Sequence, residues 1–505
     1  MKILFANPAY REKLHNGLER YFFAAGSRCP WSLIKLQDAL PRYSMFPFFM
    51  GYAAAILEQN GYSVEAIDAV PLNLSQEEFV KQCIAQQPEL IVFETSTTTI
   101  NYIRYLSGIL KKMTQAIIVF TGSHVTALPE ETISSTDHLD YIIRGEYEFA
   151  LLELVKSLTK EKSLISIPGI VFRNGDKGIY TNPKAVIDDI NKLPLPARHL
   201  FPTGKVKNMG LYYDGFCQNR PAIQMHSSRG CPFRCAFCLW TQVMYRQGVY
   251  RIFSPQRVVE EMIQLRDTFK AKEIYFDDDT FTGSKKHVLE ICQTITEKKI
   301  NIPWSAMGDV MVTDREMIYA MKKAGCIGLK FGLESAVPDV LKKINKPINL
   351  NKLTDLVRLC NKLRIKTHVS VSYGHFGETP ETMEETFRFV ARLPVDSVQF
   401  SIATPYPGTS FYTEALEKGI LSHQEWEDYD PTHNSIISHP GLSPEILKKA
   451  EATSHGRWLK HKLFDIKWLF RQLYFLKYIL RNQGLKGLLL RIKRGKDIIF
   501  LKRFA

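Results

Sequence analysis

The sequence predicts an α/β protein with three parts: an N-terminal doubly wound parallel-sheet (Rossmann-like) domain, a partial (β/α)6 barrel and a helical C-terminal segment. Two successive series of short apolar runs alternate with segments of helical spacing, and such alternation implies parallel sheets with right-handed crossovers. From about Leu442 onward only the helical spacing continues. At 505 residues the chain is also too long for one ordinary domain.

The first series occupies the N-terminal part of the chain. Its predicted strands are ILFANP, VEAIDAV, LIVFET, AIIVFTG and YIIRGE, and FFMGYAAAILEQNGY and NYIRYLSGILKKM are predicted helices between them. Ligands of such sheets bind beyond the carboxyl ends of the strands. The residues at those predicted ends are Asn7, Pro8, Thr95, Ser96, Thr97, Gly122, Ser123, His124, Gly145 and Glu146.

The middle of the chain joins the two series. IPGIVFRNGDKGIYTN predicts a β-hairpin with Asn174 and Gly175 at its turn, and the proline-rich DDINKLPLPARHLFP predicts a linker. The second series predicts six strands, IQMHSS, EIYFDDDTF, IPWSAMG, CIGLKFGLES, KTHVSVSYG and SVQFSIATPYPGT, whose carboxyl ends should face one cavity. The predicted divisions are a first domain at 1–180, a linker at 181–221, the partial barrel at 222–430 and a basic helical region at 431–505.

The composition indicates a globular protein of a reducing compartment. The hydrophobic content is 45%, and outside one triplet the nine cysteines are scattered singly, which suits buried free thiols. The N-terminal MKILFANPAY predicts a strand and not a secretory segment, and no stretch is apolar enough for a clear membrane span. We therefore expect a cytoplasmic protein.

Three cysteines form the most informative run, Cys231-Pro-Phe-Arg-Cys235-Ala-Phe-Cys238. Closely spaced thiolates hold iron–sulfur clusters, and soft sulfur ligands select iron–sulfur, copper(I) or zinc. A disulfide framework does not suit a long chain without a secretory segment, and a zinc site usually needs a second ligand pair, which Cys217 does not supply. If the run holds a four-iron cluster, its three thiolates leave one iron without a protein ligand.

The cysteine run resembles the cluster motif of the radical S-adenosylmethionine superfamily. In that family the open iron binds S-adenosylmethionine, and an electron from the cluster cleaves it to a 5′-deoxyadenosyl radical. Further runs resemble the same family in the same order: DDDTF at 277–281, GLES at 332–335, GHFGET at 374–379 and PYPGT at 405–409. The resemblance covers roughly residues 222–409. It implies contacts with S-adenosylmethionine from Phe237, Asp278, Glu334, Ser372 and Tyr406.

These runs also have structural explanations, and two positions depart from the family pattern. A strand-end Glu can cap a helix or pair with a cation, and the Asp triplet could be a solvated turn. Gly308 stands where relatives often carry an Arg. His375 replaces the apolar residue that is usual in the GxxGET run.

The N-terminal part resembles the cobalamin-binding domain of the cobalamin-dependent radical S-adenosylmethionine family. GSHVTALPEE at 122–131, RGEYE at 144–148 and the linker LPLPARHLFP carry this resemblance. The DxHxxG motif that supplies a cobalt ligand in other corrinoid proteins is absent, since Lys13 stands where His15 would need an Asp. The resemblance implies cobalt without a protein imidazole; the alternative is a vestigial domain without cofactor. The implied cobalamin contacts are Pro8, Thr95, Ser96, Gly122, Ser123, His124, Gly145 and Glu146.

The two resemblances together imply an enzyme that uses a 4Fe-4S cluster, S-adenosylmethionine and cobalamin. The implied reaction is methylation of an unactivated carbon, or less often phosphorus, through a 5′-deoxyadenosyl radical and methylcobalamin. One alternative is a radical oxidative cyclase on the same scaffold, like the anaerobic porphyrin-ring cyclases; another is a non-catalytic cobalamin or redox sensor. The implied partners are a small-molecule or lipid-like substrate and an electron donor of the flavodoxin or ferredoxin type. No catalytic side chain is predicted.

The C-terminal segment carries much of the surplus of positive charge, which is +14 for the whole chain. After Glu451 the only acidic residues are Asp465 and Asp497, whereas Lys and Arg recur among Trp, Phe, Leu and Tyr. An apolar face beside a basic face predicts a helix on an anionic membrane surface, which would place the protein on the inner face of the membrane. A helical cap on the barrel fits equally well. Nucleic-acid binding fits less well, because no recognised nucleic-acid module accompanies the charge.

Overall fold

The structure is a computed structural model that describes residues 1–14, 17–26, 31–36, 44–160, 163–202, 212, 214–422 and 425–504. His15, which the sequence analysis considered as a cobalt ligand, lies outside these ranges. Within them, the chain forms two parallel sheets, two small antiparallel sheets and a pair of long C-terminal helices.

The N-terminal half contains ten strands and seven helices among the described residues. They are β1 (Lys2–Asn7), β2 (Tyr10–Lys13), β3 (Leu18–Phe22), β4 (Ser32–Leu36), α1 (Phe48–Gln59), β5 (Ser63–Asp68), α2 (Ala69–Leu72), α3 (Gln76–Ala85), β6 (Leu90–Thr95), α4 (Ile100–Thr114), β7 (Ile117–Gly122), α5 (Ser123–Ala127), α6 (Pro129–Ser134), β8 (Tyr141–Ile143), α7 (Glu148–Lys160), β9 (Ile170–Arg173) and β10 (Ile179–Thr181).

The predicted doubly wound sheet is confirmed. Its strand order is β10-β9-β8-β7-β6-β1-β5, and β5, β1, β6, β7 and β8 run parallel. The central strand β6 is buried along its whole length, as expected for a parallel strand covered on both faces. The predicted hairpin is also present and is formed by β9 and β10. It extends the edge of the sheet, where β9 pairs antiparallel with β8. The sequence analysis missed the three-stranded antiparallel sheet β2-β3-β4.

The second half begins with a partial barrel. Its elements are β11 (Ala222–Met225), β12 (Ser228–Gly230), α8 (Leu239–Val243), β13 (Tyr250–Ile252), α9 (Pro255–Asp267), β14 (Glu273–Phe276), α10 (Lys285–Glu297), β15 (Trp304–Gly308), α11 (Arg315–Lys323), β16 (Cys326–Glu334), α12 (Pro338–Lys343), α13 (Leu350–Lys362), β17 (Lys366–Tyr373), α14 (Pro380–Arg392), β18 (Ser397–Ile402) and α15 (Ser410–Glu417). All six predicted strands are confirmed, as one parallel sheet in the order β11-β14-β15-β16-β17-β18.

The segment predicted as a linker packs between the two halves. Its apolar residues Ile190, Leu193 and Phe201 belong to one hydrophobic core that contains residues of both sheets. Arg198 is buried, donates to Glu261 at 3.0 Å and lies over the ring of Phe46. Its described residues between β10 and β11 form no long helix or strand, yet they fix the two halves against each other.

A buried ion cluster adds a second connection. The Arg229 guanidinium on β12 donates to Glu146 at 3.0 Å and to Glu148 at 2.5 Å, and both carboxylates belong to the N-terminal domain. Arg251 on β13 also reaches Glu146, at 2.6 Å. Arg229 and both acids are fully or almost fully buried, and the two carboxylates hold the pKa of Arg229 well above its usual value although burial itself opposes this.

The chain ends in two helices, α16 (Pro444–Lys462) and α17 (Ile466–Phe504), and α17 is kinked at Gly484, whose φ is 65°. The predicted helical C-terminal region is therefore confirmed. The inner side of α17 is fixed to the barrel by Arg471, which donates to Asp396 at 2.6 Å, and by Tyr478, which accepts from Asn219 at 3.0 Å. Within the described ranges, every helix is too short or too polar to cross a bilayer.

The ion cluster predicts a large effect of one substitution. Arg229→Met should lower the free energy of unfolding by about 3–5 kcal/mol, because it leaves the buried Glu148 carboxylate without its cation and Glu146 with Arg251 alone. Urea denaturation of the wild type and the variant measures the difference. Arg266→Met is the matched control, since Arg266 pairs with Asp267 at the surface and should cost less than about 1 kcal/mol. Equal effects of the two substitutions would contradict the importance of the buried cluster.

Candidate functional site

The carboxyl ends of the two parallel sheets face one another. Helix α5, which follows β7, contacts α8, which follows the cysteine run. The Thr126 hydroxyl lies 3.7 Å from the sulfur of Met244, and Lys184 donates to the carbonyls of Gln242 and Val243 at 2.7 and 2.9 Å. A Cβ on Gly408 would lie 3.0 Å from the Cβ of Ala127, so the PYPGT run approaches the same helix. The two predicted cofactor regions therefore border one interface.

The cysteine loop is held by hydrogen bonds to its backbone. The Gln242 amide donates to the carbonyls of Cys235, Ala236 and Cys238 at 3.2, 2.9 and 3.0 Å. The Ala236 N–H donates to the carbonyl of Ile344 at 2.9 Å. These hydrogen bonds within the chain help to hold the backbone of the loop.

The three thiols of the loop suit a four-iron cluster. All are free, and Cys238 is close enough to raise the pKa of both Cys231 and Cys235 electrostatically. Burial is the main cause of the raised pKa of each thiol, and it brings that of Cys235 to about 12. Among the described residues, no three such ligands converge on a single metal ion. A four-iron cluster fits this spacing, because each thiolate binds a different iron.

In the Asp triplet after β14, Asp277 and Asp278 are buried and Asp279 is half-buried, so the triplet is not a solvated turn. Both oxygens of the Asp278 carboxylate accept hydrogen bonds from the chain: the backbone N–H groups of Ser227 and Ser228 at 2.8 and 2.6 Å, and both serine hydroxyls at 2.9 Å. Burial raises the pKa of Asp278 to about 7. Asp279 accepts from the Gly230 N–H at 2.9 Å. These carboxylates hold the strand that leads into Cys231, and a direct contact of Asp278 with S-adenosylmethionine stays a prediction.

Glu334 ends β16 in an unusual backbone conformation, with φ at 65°. Its carboxylate accepts from the Ser372 hydroxyl at 3.0 Å. A Cβ on Gly332 would lie 2.7 Å from Oε1 of Glu334, so glycine leaves room for the carboxylate to fold back over the strand. Burial raises the pKa of Glu334, while Lys346 and the Ser372 hydrogen bond oppose the rise. The carboxylate thus lies beside a cation at the barrel edge, where the sequence predicted it.

Lys346 is a site residue that the sequence analysis missed. Its ammonium lies 3.2 Å from Asp309 and is 11% exposed. Burial opposes its charge, but Asp309, Cys235 and Glu334 together raise its pKa above the usual value. No motif marked this lysine, because its loop reaches the cysteines only through tertiary packing. It supplies positive charge near Gly308, the position where relatives often carry an Arg.

Two aromatic residues that the sequence predicts for the site, Phe237 and Tyr406, lie close to the Glu334 carboxylate. The ring of Phe237 packs against His375 with a centroid distance of 5.3 Å, and His375 in turn contacts Ser372 at 2.7 Å. Tyr406 is buried in an apolar cluster that includes Phe237. The structure therefore brings Phe237, Glu334 and Ser372 into one group and places Tyr406 next to it.

The predicted cobalamin residues lie together at the carboxyl edge of the N-terminal sheet. Gly122 has a φ of 97°, and a Cβ there would lie 2.4 Å from the Thr95 carbonyl oxygen, so only glycine allows this approach of β6 and β7. The hydroxyl of Thr95 donates to the Thr121 carbonyl at 2.7 Å, and Gly145 donates to the Thr126 hydroxyl at 2.9 Å. Pro8 and Ser123, which follow β1 and β7, are buried at the same edge.

His124 is buried at this edge, and its Nε2 has no hydrogen-bond partner among the described residues. Its ring meets Trp426 at a centroid distance of 5.0 Å, and burial lowers its pKa to about 3. An unsatisfied buried nitrogen beside a narrow glycine cradle is compatible with a bound organic cofactor. That cobalt has no protein imidazole stays a prediction, and His124 is the side chain that would contradict it.

Residues that follow the last barrel strand in sequence cover the carboxyl edge of the N-terminal sheet. Residues 426–428 form a 3-10 turn over Thr97–Thr99, and Glu427 accepts from Asn101 at 3.2 Å. The Asp430 carboxylate accepts from the backbone N–H of Ser32 at 3.2 Å and from its hydroxyl. We call residues 425–432 the covering segment.

Two of the predicted cobalamin contacts have polar groups that the protein already uses. The Ser96 hydroxyl donates to the Phe23 carbonyl at 3.0 Å. The Glu146 carboxylate binds Arg229, Arg251 and the Ile187 N–H. The prediction that Glu146 contacts cobalamin therefore rests on its position and not on its charge.

Two family models match the chain. The radical SAM superfamily model matches residues 225–390, and the B12 binding domain model matches residues 41–155. The first range runs from the end of β11 into α14 and so includes β14–β17 of the barrel, and the second includes β5–β8 of the N-terminal sheet.

Named relatives span most of the chain. It is 32% identical over 405 residues to an uncharacterised methyltransferase of Pyrococcus horikoshii, covering 80% of this chain and 85% of the relative. It is 25% identical to the cytidylyl-2-hydroxyethylphosphonate methyltransferase of Streptomyces wedmorensis, covering 80% and 84%. It is also 25% identical to the anaerobic magnesium-protoporphyrin IX monomethyl ester cyclase of Cereibacter sphaeroides, covering 85% and 70%.

The fold is also found in a solved structure. The radical S-adenosylmethionine methyltransferase TsrM of Kitasatospora setae, with cobalamin and a 4Fe-4S cluster bound, superposes with a TM-score of 0.65 at 19% identity, covering 88% of this chain and 82% of that one. The two family models and the Pyrococcus relative, together with the cysteine loop and the strand-end residues, show that this chain belongs to the cobalamin-dependent radical S-adenosylmethionine enzymes, a methyltransferase-containing family whose cofactors are a 4Fe-4S cluster, S-adenosylmethionine and cobalamin.

Proposed function

We propose that this enzyme methylates an unactivated carbon, or less often a phosphorus, of a small or lipid-like substrate. When bound, the cofactors supply a 5′-deoxyadenosyl radical and a transferable methyl group. The observation that supports the proposal is the contact between α5 and α8, because it places the cysteine loop opposite the edge with Gly122 and His124. A radical made at one edge and a methyl group held at the other would then meet at the same substrate.

The chain's own residues would bind, orient and shield the reactants. Cys231, Cys235 and Cys238 would hold the cluster, and the carboxylate of Glu334 would accept hydrogen bonds from S-adenosylmethionine. The α5–α8 contact and the covering segment would exclude water from the interface. Such placement supplies much of the rate in radical reactions, since no polar side chain can abstract an unactivated hydrogen.

The oxidative cyclase remains the second candidate, because the Cereibacter cyclase aligns over 85% of this chain. Anaerobic incubation with candidate lipid extracts and methyl-deuterated S-adenosylmethionine distinguishes the two by product mass. Methylation adds a labelled methyl group, whereas cyclisation removes hydrogens and adds no label. Reduced enzyme that forms no 5′-deoxyadenosine with any extract would contradict both and favour a cobalamin or redox sensor. An electron donor of the flavodoxin or ferredoxin type would supply the reducing electron in the cell.

We also propose that α17 and the turn before it hold the enzyme on an anionic bilayer, where a hydrophobic substrate would be reached. Phe464 is 90% exposed and Phe470 is 69% exposed, and further apolar side chains continue the outward surface. We call this surface the apolar stripe: Leu463, Phe464, Ile466, Phe470, Leu473 and Leu480. A cap that only covers the barrel would present polar residues to water, so the stripe favours a membrane contact.

The charges beside the stripe suit the same partner. Lys460, Lys467, Lys477 and Arg481 are exposed, and Asp465 is the only acid between them. Each such cation near an anionic surface contributes about 1 kcal/mol, and burying one Leu or Phe adds about 1.5–3 kcal/mol. The inner side of the helix is held by Arg471 and Tyr478, so the stripe could enter lipid while the barrel stays intact.

The cluster assignment predicts that iron binding depends on three cysteines only. The Cys231→Ala, Cys235→Ala, Cys238→Ala triple variant should bind no cluster after anaerobic reconstitution, whereas the wild type should bind about four irons per chain. Iron and sulfide analysis measures this. Cys292→Ala, which removes a buried thiol on α10, is the control and should keep the cluster. Iron retained by the triple variant would refute the assignment.

Glu334→Gln should keep the cluster and lose affinity for S-adenosylmethionine by about 10- to 150-fold, the equivalent of a charge-assisted hydrogen bond of roughly 1.5–3 kcal/mol. Because burial raises the pKa of Glu334, the wild type should also lose affinity on acidification sooner than an ordinary Glu would allow. The Gln variant should lack that loss. Equilibrium dialysis across a pH series tests both points, and unchanged affinity of the variant would remove Glu334 from the site.

Liposome co-sedimentation tests the membrane contact. The full chain should bind vesicles that contain phosphatidylserine, and added salt should weaken binding through screening. Phe464→Ser with Phe470→Ser should abolish binding. Tyr105→Ser with Met113→Ser, which changes exposed apolar residues on α4, is the matched control and should bind normally. Failure of the wild type to bind at low salt would mean that the helix is only a cap.

A further inference from the structure

His375 lies in the loop after β17 and is fully buried. Its Nε2 lies 2.7 Å from the hydroxyl oxygen of Ser372, and that hydroxyl donates its hydrogen to Glu334 at 3.0 Å. A serine hydroxyl has a single hydrogen, so its oxygen must accept from the histidine. His375 therefore carries its proton on Nε2, and the three side chains form a directed chain that ends at the carboxylate.

The loop fixes this histidine on several sides. The Glu378 carboxyl group accepts from the N–H groups of Gly374 and His375 at 2.6 and 3.0 Å, and His439 contacts the Gly374 carbonyl at 3.0 Å. The ring also packs against Phe237 and Phe411. Its position is thus set independently of Ser372.

The imidazole is neutral in the folded protein. Burial lowers the pKa of His375 to about 3, and nearby His439 acts in the same direction. With the proton on Nε2, Nδ1 is a lone-pair acceptor, and it has no partner among the described residues. A neutral N–H donor can orient the serine without adding a second cation beside Lys346.

We propose that His375 is a positioning residue for the S-adenosylmethionine site: it fixes the Ser372 hydroxyl so that its hydrogen points at Glu334 and keeps that carboxylate ionised and correctly oriented. This inference rests on the proposed role of Glu334. The Glu334 carboxylate is half-buried and burial raises its pKa, so a donor that stabilises its charged form matters here.

Two amide substitutions separate the donor from the bulk of the ring. In His375→Gln the side-chain N–H₂ reaches the position of Nε2, whereas in His375→Asn it reaches only that of Nδ1. Equilibrium dialysis of S-adenosylmethionine against anaerobic, cluster-loaded protein measures the dissociation constant. We expect a value close to wild type for His375→Gln and an increase of about 3- to 10-fold for His375→Asn, the range for one hydrogen bond.

Ser372→Ala provides the decisive comparison. When Ser372 is Ala, His375→Gln and His375→Asn should have equal affinity for S-adenosylmethionine, because the serine hydroxyl that accepts their hydrogen bond is gone. A difference that persists there, or equal affinity in the presence of Ser372, would overturn the inference. His368→Phe is the matched control, since His368 on β17 makes a similar 2.9 Å contact with Ser397 on the neighbouring strand β18 and should leave affinity unchanged.

The same measurements also distinguish the role of His375 from the role of Glu334, on which it depends. If Glu334→Gln binds S-adenosylmethionine normally, the role of Glu334 itself is wrong. If Glu334→Gln weakens binding but His375→Asn does not, only the role of His375 is wrong. Iron content and near-ultraviolet circular dichroism identify any variant that has not folded. In that case Ser372→Ala, which should itself weaken binding, tests the hydrogen-bonded series His375–Ser372–Glu334 at its middle residue.

Discussion

The geometry of the enzyme depends on one buried guanidinium. Arg229 stands two residues before Cys231, and its charge is neutralised by Glu146 and Glu148 of the other domain. A buried ion pair is expensive to break because the remaining charge stays desolvated, so the two domains have little freedom to separate at this point. The spacing between the cysteine loop and the edge near Gly122 is therefore fixed by electrostatics as well as by packing. Precise spacing is what a radical intermediate requires of its protein.

The sheets could be predicted from the sequence, because buried parallel strands are short apolar runs and their order along the chain determines which ends lie together. The small sheet β2-β3-β4 could not, since strands such as YREK have no apolar alternation and are stabilised by what they pack against. The same contrast applies at the site. The cysteines are neighbours in sequence, whereas Lys346 reaches Cys235 and Glu334 only through the fold.

The sequence motifs predict where the acidic residues lie, but not which groups of the chain their carboxylates bind. Asp278 and Glu146 both stand at the predicted strand ends, yet each carboxylate is satisfied by groups of the chain itself. Glu334 differs, because its partners are one hydroxyl and a nearby ammonium, which leaves capacity for a ligand. A buried carboxylate that already accepts several hydrogen bonds from the chain has less capacity left for a ligand.

The covering segment has a consequence for assembly. It binds residues such as Ser32 that lie about 400 positions earlier in the chain, so its contacts close among the largest loops of the fold. Long-range contacts of this kind form late, after the local strands and helices. A cofactor held at the edge near His124 would lie beside Trp426 and would be enclosed by these contacts. Loading of such a cofactor would then be coupled to folding, since the segment that covers this edge is held by residues far away in the sequence.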